Sequence, residues 1–458
     1  MDGLRIPRFA LLAMCTTLLF VGLACGGNHS APSHRNSVAG SSVPATLKPG
    51  AAFAPPTAAS TPGTAGYVVA DPSFAPLAGA RALFGRLGGA AFQIEVPQSW
   101  AGGGLVLFAH GFTGNDPILF VEEPPLRAYF IQQGFAWAAS SFSAPGYDPD
   151  VGLADTLALR NLFIQQFGSP SRTYINGMSM GGHVVVSAME QHPDLFSGGY
   201  SECGVVGGVQ EMDFVVSYVT VASSLTHTPL LPISDATSYR NAIRSSIIPA
   251  LGPANSPTMV GQQFEDVIKR LTGGPRPWRH EGFVNRRTAD FDLAVTGDPK
   301  HPGVAERAGT NVGVDYQIDP VLGITNQQLN AGVLRVAADP SARNETAHPD
   351  FAPRTGKLKA PLLTLHTTGD HFVPISQEVS YRKIVDAAGA GDELVQRAIR
   401  RPEHCQFSQQ ELQQGFTDLV NWAEQGVVPA GDDFRSGDLS NAGLRFTQPL
   451  LAGDPGGE

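Results

Sequence analysis

The 458-residue sequence predicts an α/β fold, with a mostly parallel sheet flanked by helices and a large, mainly helical insertion late in the chain. Three observations carry this reading. Apolar runs of strand length alternate with helical stretches from about residue 85 to 208. The pentapeptide Gly177-Met178-Ser179-Met180-Gly181 stands between a strand pattern and a helix pattern, as a nucleophile elbow does. The alternation stops at Gly207-Gly208 and resumes only at Pro361, which sets residues 209–357 apart as one inserted block.

The elements follow in order. Residues 91–96 alternate apolar and polar side chains and read as a strand. Residues 105–109, Leu-Val-Leu-Phe-Ala, are continuously apolar, as in a parallel strand buried on both faces. A helix over 126–133, a strand over 136–141 and an amphipathic helix over 152–167 come next. The elbow has its strand at 171–176 and its helix at 182–190, and a further strand spans 198–203. Beyond the insertion, the sequence predicts a strand over 361–366, a helix over 377–388, a strand over 394–400 and a helix over 409–426. The domain boundaries are therefore 76–208 for the first part of the core, 209–357 for the insertion and 358–428 for the second part. Residues 429–458, rich in Gly and Asp, form a patternless C-terminal tail. The insertion leaves the sheet at its ligand-binding edge, so it reads as a cap over the site, the alternative being a surface elaboration. Its Trp278, Phe283 and Phe291 either form the core of that cap or line a pocket.

Hydrophobic residues make up 42% of the chain and charged ones 16%, enough apolar content for a sizeable core. A net charge of -10 without any basic run argues against a nucleic-acid partner. Residues 1–25 read as a signal peptide, with Arg5 and Arg8 preceding an apolar run that is short for a membrane span. Gly22-Leu23-Ala24-Cys25 resembles the lipobox of bacterial lipoproteins, with Gly22 where Leu is usual. The resemblance implies lipidation at Cys25; the alternative is ordinary cleavage and free secretion. Both put the mature protein outside the cytoplasm, in the cell envelope or secreted. Residues 26–75, rich in Ala, Ser, Thr, Pro and Gly, read as a flexible linker. A membrane is a partner only through the lipid anchor.

A serine nucleophile needs a base, an acid behind the base, and donors for the oxyanion. Ser179 is the nucleophile. Asp370, in Thr-Gly-Asp-His-Phe-Val-Pro just past an apolar strand, is the acid candidate, against the plainer reading of a turn residue. Glu202, at the end of the preceding strand, is the second candidate. His404, between the last strand and the last helix, is the base candidate, with His366 and His371 as rivals. The oxyanion donors are the amides of Met180 and of Phe112, or of Gly111 beside it, in the turn His110-Gly111-Phe112. His110 braces that turn. The chemistry requires no cofactor, and no cluster has metal-ligand spacing.

With these motifs in place, the chain resembles secreted bacterial serine hydrolases of the α/β-hydrolase superfamily. The His-Gly turn, the Met-Ser-Met-Gly-Gly elbow, the Gly-Asp-x-x-Val-Pro turn and the His-Cys-x-Phe segment carry the resemblance over residues 85–208 and 358–428. It implies an esterase acting through Ser179, His404 and Asp370 on a small-molecule or polymer ester. A peptidase or amidase with the same residues, and a catalytically silent envelope binding protein, are the alternatives. Related sequences usually carry Gly before the base histidine. This chain carries Glu403, which either raises the basicity of His404 or faces solvent. With Cys15 and Cys25 in the targeting segment, Cys203 and Cys405 remain as an even pair. Tannase and feruloyl-esterase-like enzymes are similar in tying the histidine segment by a disulfide. Their partner cysteine precedes the nucleophile, where this chain has Met178, so Cys203 is the partner available to Cys405. The alternative is two buried thiols.

Overall fold

A computed structural model describes residues 67–114, 117–295, 305–451 and 453–454. The expected signal peptide with Cys25, and the linker up to residue 66, lie outside the described residues.

Eight strands form one sheet: β1 Ala80–Leu87, β2 Ala90–Pro97, β3 Gly104–Ala109, β4 Ala136–Ser140, β5 Arg172–Met178, β6 Gly198–Glu202, β7 Leu362–Thr367 and β8 Leu394–Ile399. Their order is β8-β7-β6-β5-β3-β4-β2-β1. β2 pairs antiparallel with both β1 and β4, and every other pairing is parallel. The strand period of two explains the continuous apolar runs. Leu105, Leu107 and Ile175 join one buried cluster, with Val184 and Val185 of the elbow helix. Val106, Phe108 and Tyr174 join the other, with Phe130, Phe416 and Leu419. Each such fully buried side chain contributes about 1.5–3 kcal/mol relative to exposure.

The core helices are α1 Arg127–Gln132, α2 Pro149–Phe167 and α3 Met180–Gln191. α2 starts where Asp148 caps the Val151 amide and Pro149 fills the first turn. The inserted block contains no strand among its described residues. Its longer helices are α4 Gln210–Thr226, α5 Ala236–Ala242, α6 Met259–Leu271, α7 Arg279–Arg286 and α8 Asn326–Gly332. They surround a separate apolar cluster in which Phe214, Tyr218, Phe264, Phe283 and Phe291 are buried. Phe283 and Phe291 thus belong to a core rather than a pocket wall, and Trp278 does not line the cavity over Ser179. α9 Ser376–Ala387 and α10 Gln409–Gln425 complete the fold, the latter opened by a capping box between Ser408 and Glu411.

Three features depart from the sequence reading. β1 was not foreseen; its burial alternates with exposure because it is the sheet's outer strand. Residues 67–75, assigned to the linker 26–75, join the fold: Val68 and Val69 pair with Ile118 and Leu119, and Phe74 lies on Trp137 at 5.7 Å. The segment after residue 428 is no loose tail. The Asp432 amide donates to Gln396 O at 2.8 Å, its carboxylate accepts the Ala398 amide at 2.8 Å, and Phe434 and Leu439 are buried against Ile375. It covers the exposed edge of β8, a place that folds otherwise leave open to unwanted pairing.

Candidate active site

β5 runs through the middle of the sheet and turns sharply at Ser179, whose φ of 55° and ψ of -119° are rarely adopted by a residue with a side chain. Three backbone bonds hold this strained residue. Its amide donates to Glu202 O at 3.0 Å, and its carbonyl accepts from Gly182 N at 2.9 Å and Val205 N at 3.1 Å. The glycines around it answer to close approach. A Cβ on Gly181 would stand 1.9 Å from Ala109 O, and one on Gly177 would stand 2.4 Å from Gly181 O. The turn after β3 therefore lies against the elbow. Met180 is the first residue of α3, so its amide is one of the outward-facing N–H groups of a helix start. Gly111 faces Ser179 directly, and Phe112 lines the same cavity as Ser179. The His110 ring stacks on Phe142 at 4.0 Å, its Nδ1 lies 2.7 Å from Gly111 O, and burial holds it neutral, so it braces the turn.

The loops after β7 and β8 meet the elbow. His404 Nδ1–H donates to Asp370 Oδ2 at 2.6 Å, which leaves Nε2 to accept from the Ser179 hydroxyl at 2.9 Å. The other Asp370 oxygen accepts the amides of Phe372 at 3.0 Å and Val373 at 2.9 Å. Burial opposes a charge on Asp370. The charge and hydrogen bond of His404 and those of His366 outweigh it and hold the carboxyl well below the usual range. Cys405 is joined to Cys203 by a disulfide, with a Cα–Cα distance of 5.1 Å, which fastens the residue after His404 to the end of β6.

Of the rival candidates, Glu202 and His366 are bonded to groups other than the Ser179 hydroxyl. Glu202 is buried, takes one hydrogen bond from Asn176 Nδ2 at 2.9 Å, and is pushed up to about 8 by burial. His404 is bonded to Asp370 instead. His366 donates from Nε2 to Val373 O at 2.9 Å and lies 3.3 Å from Glu378 through Nδ1. Burial works against its protonation, but Asp370 and Glu378 push it up to about 10. His371 is buried beside Phe283 and kept neutral by burial and by the Arg276 and Arg279 guanidiniums. Among the described residues, the potential metal-ligand group is Cys203, His404 and Cys405. Two of its members form the disulfide and the third is bonded to Ser179, so it is no metal site.

A cavity of about 510 Å³ opens on Ser179. One wall is a face of α4, formed by Met212, Val215, Val216 and Val219. From Met212 to Val219 this wall is roughly 10 Å long at a helical rise of about 1.5 Å per residue. Leu231, Ile233 and Leu293 come from elsewhere in the insertion, and Tyr147 and Phe372 come from the core. Glu211 also lines it, buried and bonded to Gln377 Nε2 at 2.6 Å. Burial, and then the charge of Asp370, push that carboxyl up. The sequence reading did not find Glu211 or Gln377. Their only signal is a Glu in the first turn of a helix, where the helix dipole favours acids generally.

Residues 147–228 match the model of the prolyl oligopeptidase family. No curated protein matches the chain. Among solved structures, the chain is similar to an acylaminoacyl peptidase from Pyrococcus horikoshii at 12% identity and a TM-score of 0.38, with 79% of this chain and 44% of that one covered. This chain thus spans less than half of that peptidase. It is also similar to an esterase from Aspergillus oryzae at 13% identity and a TM-score of 0.41, with 74% and 78% covered. Feruloyl esterase B from the same organism is similar at 14% identity and a TM-score of 0.39, with the same coverage. A parallel sheet that turns into a serine elbow at its centre, with an aspartate and a histidine brought to that serine by loops beyond a long insertion, is the architecture of the α/β-hydrolase fold.

Proposed function

We propose that the protein hydrolyses carboxylic esters bearing an apolar acyl group. The observation that carries this reading is the apolar cavity opening on a serine that is already hydrogen-bonded to an imidazole. Ser179 Oγ attacks the ester carbonyl as His404 Nε2 takes its proton. Asp370 fixes the histidine tautomer and stabilises the imidazolium. The amides of Met180 and Phe112 receive the oxyanion. Collapse of the tetrahedral intermediate breaks the bond to the alcohol, which leaves with the proton from His404. Water, deprotonated by the same imidazole, then releases the acid from the acyl-enzyme. The substrate is a small-molecule or polymer ester.

A peptidase or amidase using the same residues is the second reading, favoured by the family whose model matches around the elbow. The two are separated by turnover of p-nitrophenyl esters against peptide p-nitroanilides. A burst of p-nitrophenol, with a fluorophosphonate attached to Ser179, is the result expected for the esterase. A chain with neither burst nor label is a binding protein, and the hydrolytic reading fails.

We also propose that the protein works outside the cytoplasm, lipid-anchored or secreted. The Cys203–Cys405 disulfide supports this, since such bonds persist in oxidising compartments. Fatty-acid labelling that is lost in Cys25→Ala would identify the anchored form.

A further inference from the structure

The inserted block contributes more than a cavity wall. Its helix α7, Arg279–Arg286, lies directly on the two loops that carry Asp370 and His404. A Cβ on Gly282 would stand 1.8 Å from Gly369 O and 2.9 Å from Pro402 O, so this helix meets both loops backbone to backbone. Asn285 Nδ2 donates to Glu403 Oε1 at 2.5 Å. The Arg286 guanidinium covers the Phe372 ring at 4.6 Å, and Phe372 in turn lies 5.1 Å from the His404 ring. The carbonyl of Glu403 is held from the core side by Thr367 Oγ1 at 2.9 Å. The peptide preceding His404 is therefore gripped from two sides, by the sheet through its backbone and by the insertion through its side chain.

We propose that α7 is a positioning element for the base, and that Glu403 is the residue through which it acts. Asn285 and Glu403 set where the segment before His404 runs, and hence whether Nε2 reaches Ser179 while Nδ1–H stays on Asp370. The contact explains why a carboxylate stands before this histidine. The carboxylate is partly exposed and is bonded to Asn285 rather than to the imidazole, so it ties the base loop to the cap. Gly282 allows the tie, because any side chain there would push α7 off both loops. This inference rests on the hydrolase reading above, and its test separates the two.

The experiment compares wild type with Glu403→Ala, Asn285→Ala and Glu403→Gln in the full chain. A glutamine keeps an oxygen that accepts from Asn285 but removes the charge. Glu403→Ala and Asn285→Ala should each lower kcat for a short p-nitrophenyl ester by roughly 10- to 100-fold, the scale of a misplacement of about 1 Å. KM should stay within about twofold, since neither residue lines the cavity. The double variant should be no worse than the weaker single one. Glu403→Gln should recover most of the loss. A second readout needs no turnover: the downfield proton resonance of His404 Nδ1–H should shift or broaden in the two alanine variants and be retained in Glu403→Gln. If Glu403→Gln behaves as Glu403→Ala, the charge on Glu403 acts on His404 and the positioning proposal is wrong. It is equally wrong if kcat and the resonance are unchanged in the alanine variants. A wild type without esterase turnover overturns the hydrolase reading, and the resonance still decides the positioning.

Discussion

His366 Nε2 lies 3.5 Å from the same Asp370 oxygen that receives the His404 Nδ1–H at 2.6 Å. The acid is thus backed by a second imidazole, itself held by Glu378 and the Val373 carbonyl. Of the two imidazoles, the one bonded to the Ser179 hydroxyl is His404. The other helps to keep the acid ionised in a buried position.

That arrangement makes stability depend on pH in a defined direction. His366 is pushed up to about 10 in the folded chain, above the roughly 6.5 of an unfolded histidine. Its contribution is fully present below about pH 6.5 and is lost as pH rises through about 10. Thermal melts from pH 6 to 10 should show the wild type losing stability across that window and His366→Gln losing much less. At pH 6 the variant should be less stable by an amount on the order of a few kcal/mol. Melting curves with the same pH slope would remove this role from His366.

Asp370→Asn keeps the shape of the acid but lets His404 adopt the wrong tautomer. The variant should lose roughly 10⁴-fold in kcat, the scale seen when such an acid is neutralised elsewhere. KM should change little, because Asp370 is buried behind His404 and does not line the cavity. Steady-state kinetics on a p-nitrophenyl ester decides it. Less than a tenfold loss would mean that another group orients the base.

The disulfide joins the residue after the base to the end of β6 across a separation of 202 residues. Replacing both cysteines with serine should cost about 2–5 kcal/mol of stability. It should also lower kcat, since the segment of His404 loses one of its attachments. Denaturant titration and kinetics, with the reduced wild type alongside, measure both effects. Full activity after reduction would leave the bond a purely global role.

In the esterase reading proposed above, the α4 wall of the cavity is what limits the length of the acyl group. Val219 stands at the far end of that wall from Met212. Val219→Trp should shorten the preferred acyl chain, with kcat/KM for the longest accepted esters falling about fourfold per methylene excluded, from about 0.8 kcal/mol for each. Acetyl ester turnover should stay close to wild type. A uniform fall across a chain-length series would show instead that the substitution disturbs the elbow.

The places of Ser179, Asp370 and His404 were legible because each follows a strand of the parallel sheet, Ser179 immediately and the other two in the loop beyond, and a strand's end in a parallel sheet is a defined place. The core helices were legible to within a few residues for the same reason. Asn285 and Glu403 were not, since they meet across 118 residues and Asn285 lies in a block without a simple period. Val219 and Val216 announced an apolar helix face, but nothing local says that the face lines a cavity rather than a core. The cover on β8 was hidden for a different reason. Asp432 and Thr447 protect the strand edge with polar side chains, hydrogen-bonding the Ala398 and Arg400 amides, and so leave no hydrophobic pattern to read.

The insertion also separates the reacting groups in time. Ser179 and His404 are 225 residues apart in the chain. At typical synthesis rates of about 5–20 residues per second, the base follows the nucleophile by roughly 10–45 s. Throughout that interval Cys203 has no Cys405 to pair with and the serine hydroxyl has no imidazole to take its proton. A nascent chain therefore cannot form the hydrogen bond between the Ser179 hydroxyl and His404 until residue 404 has been made.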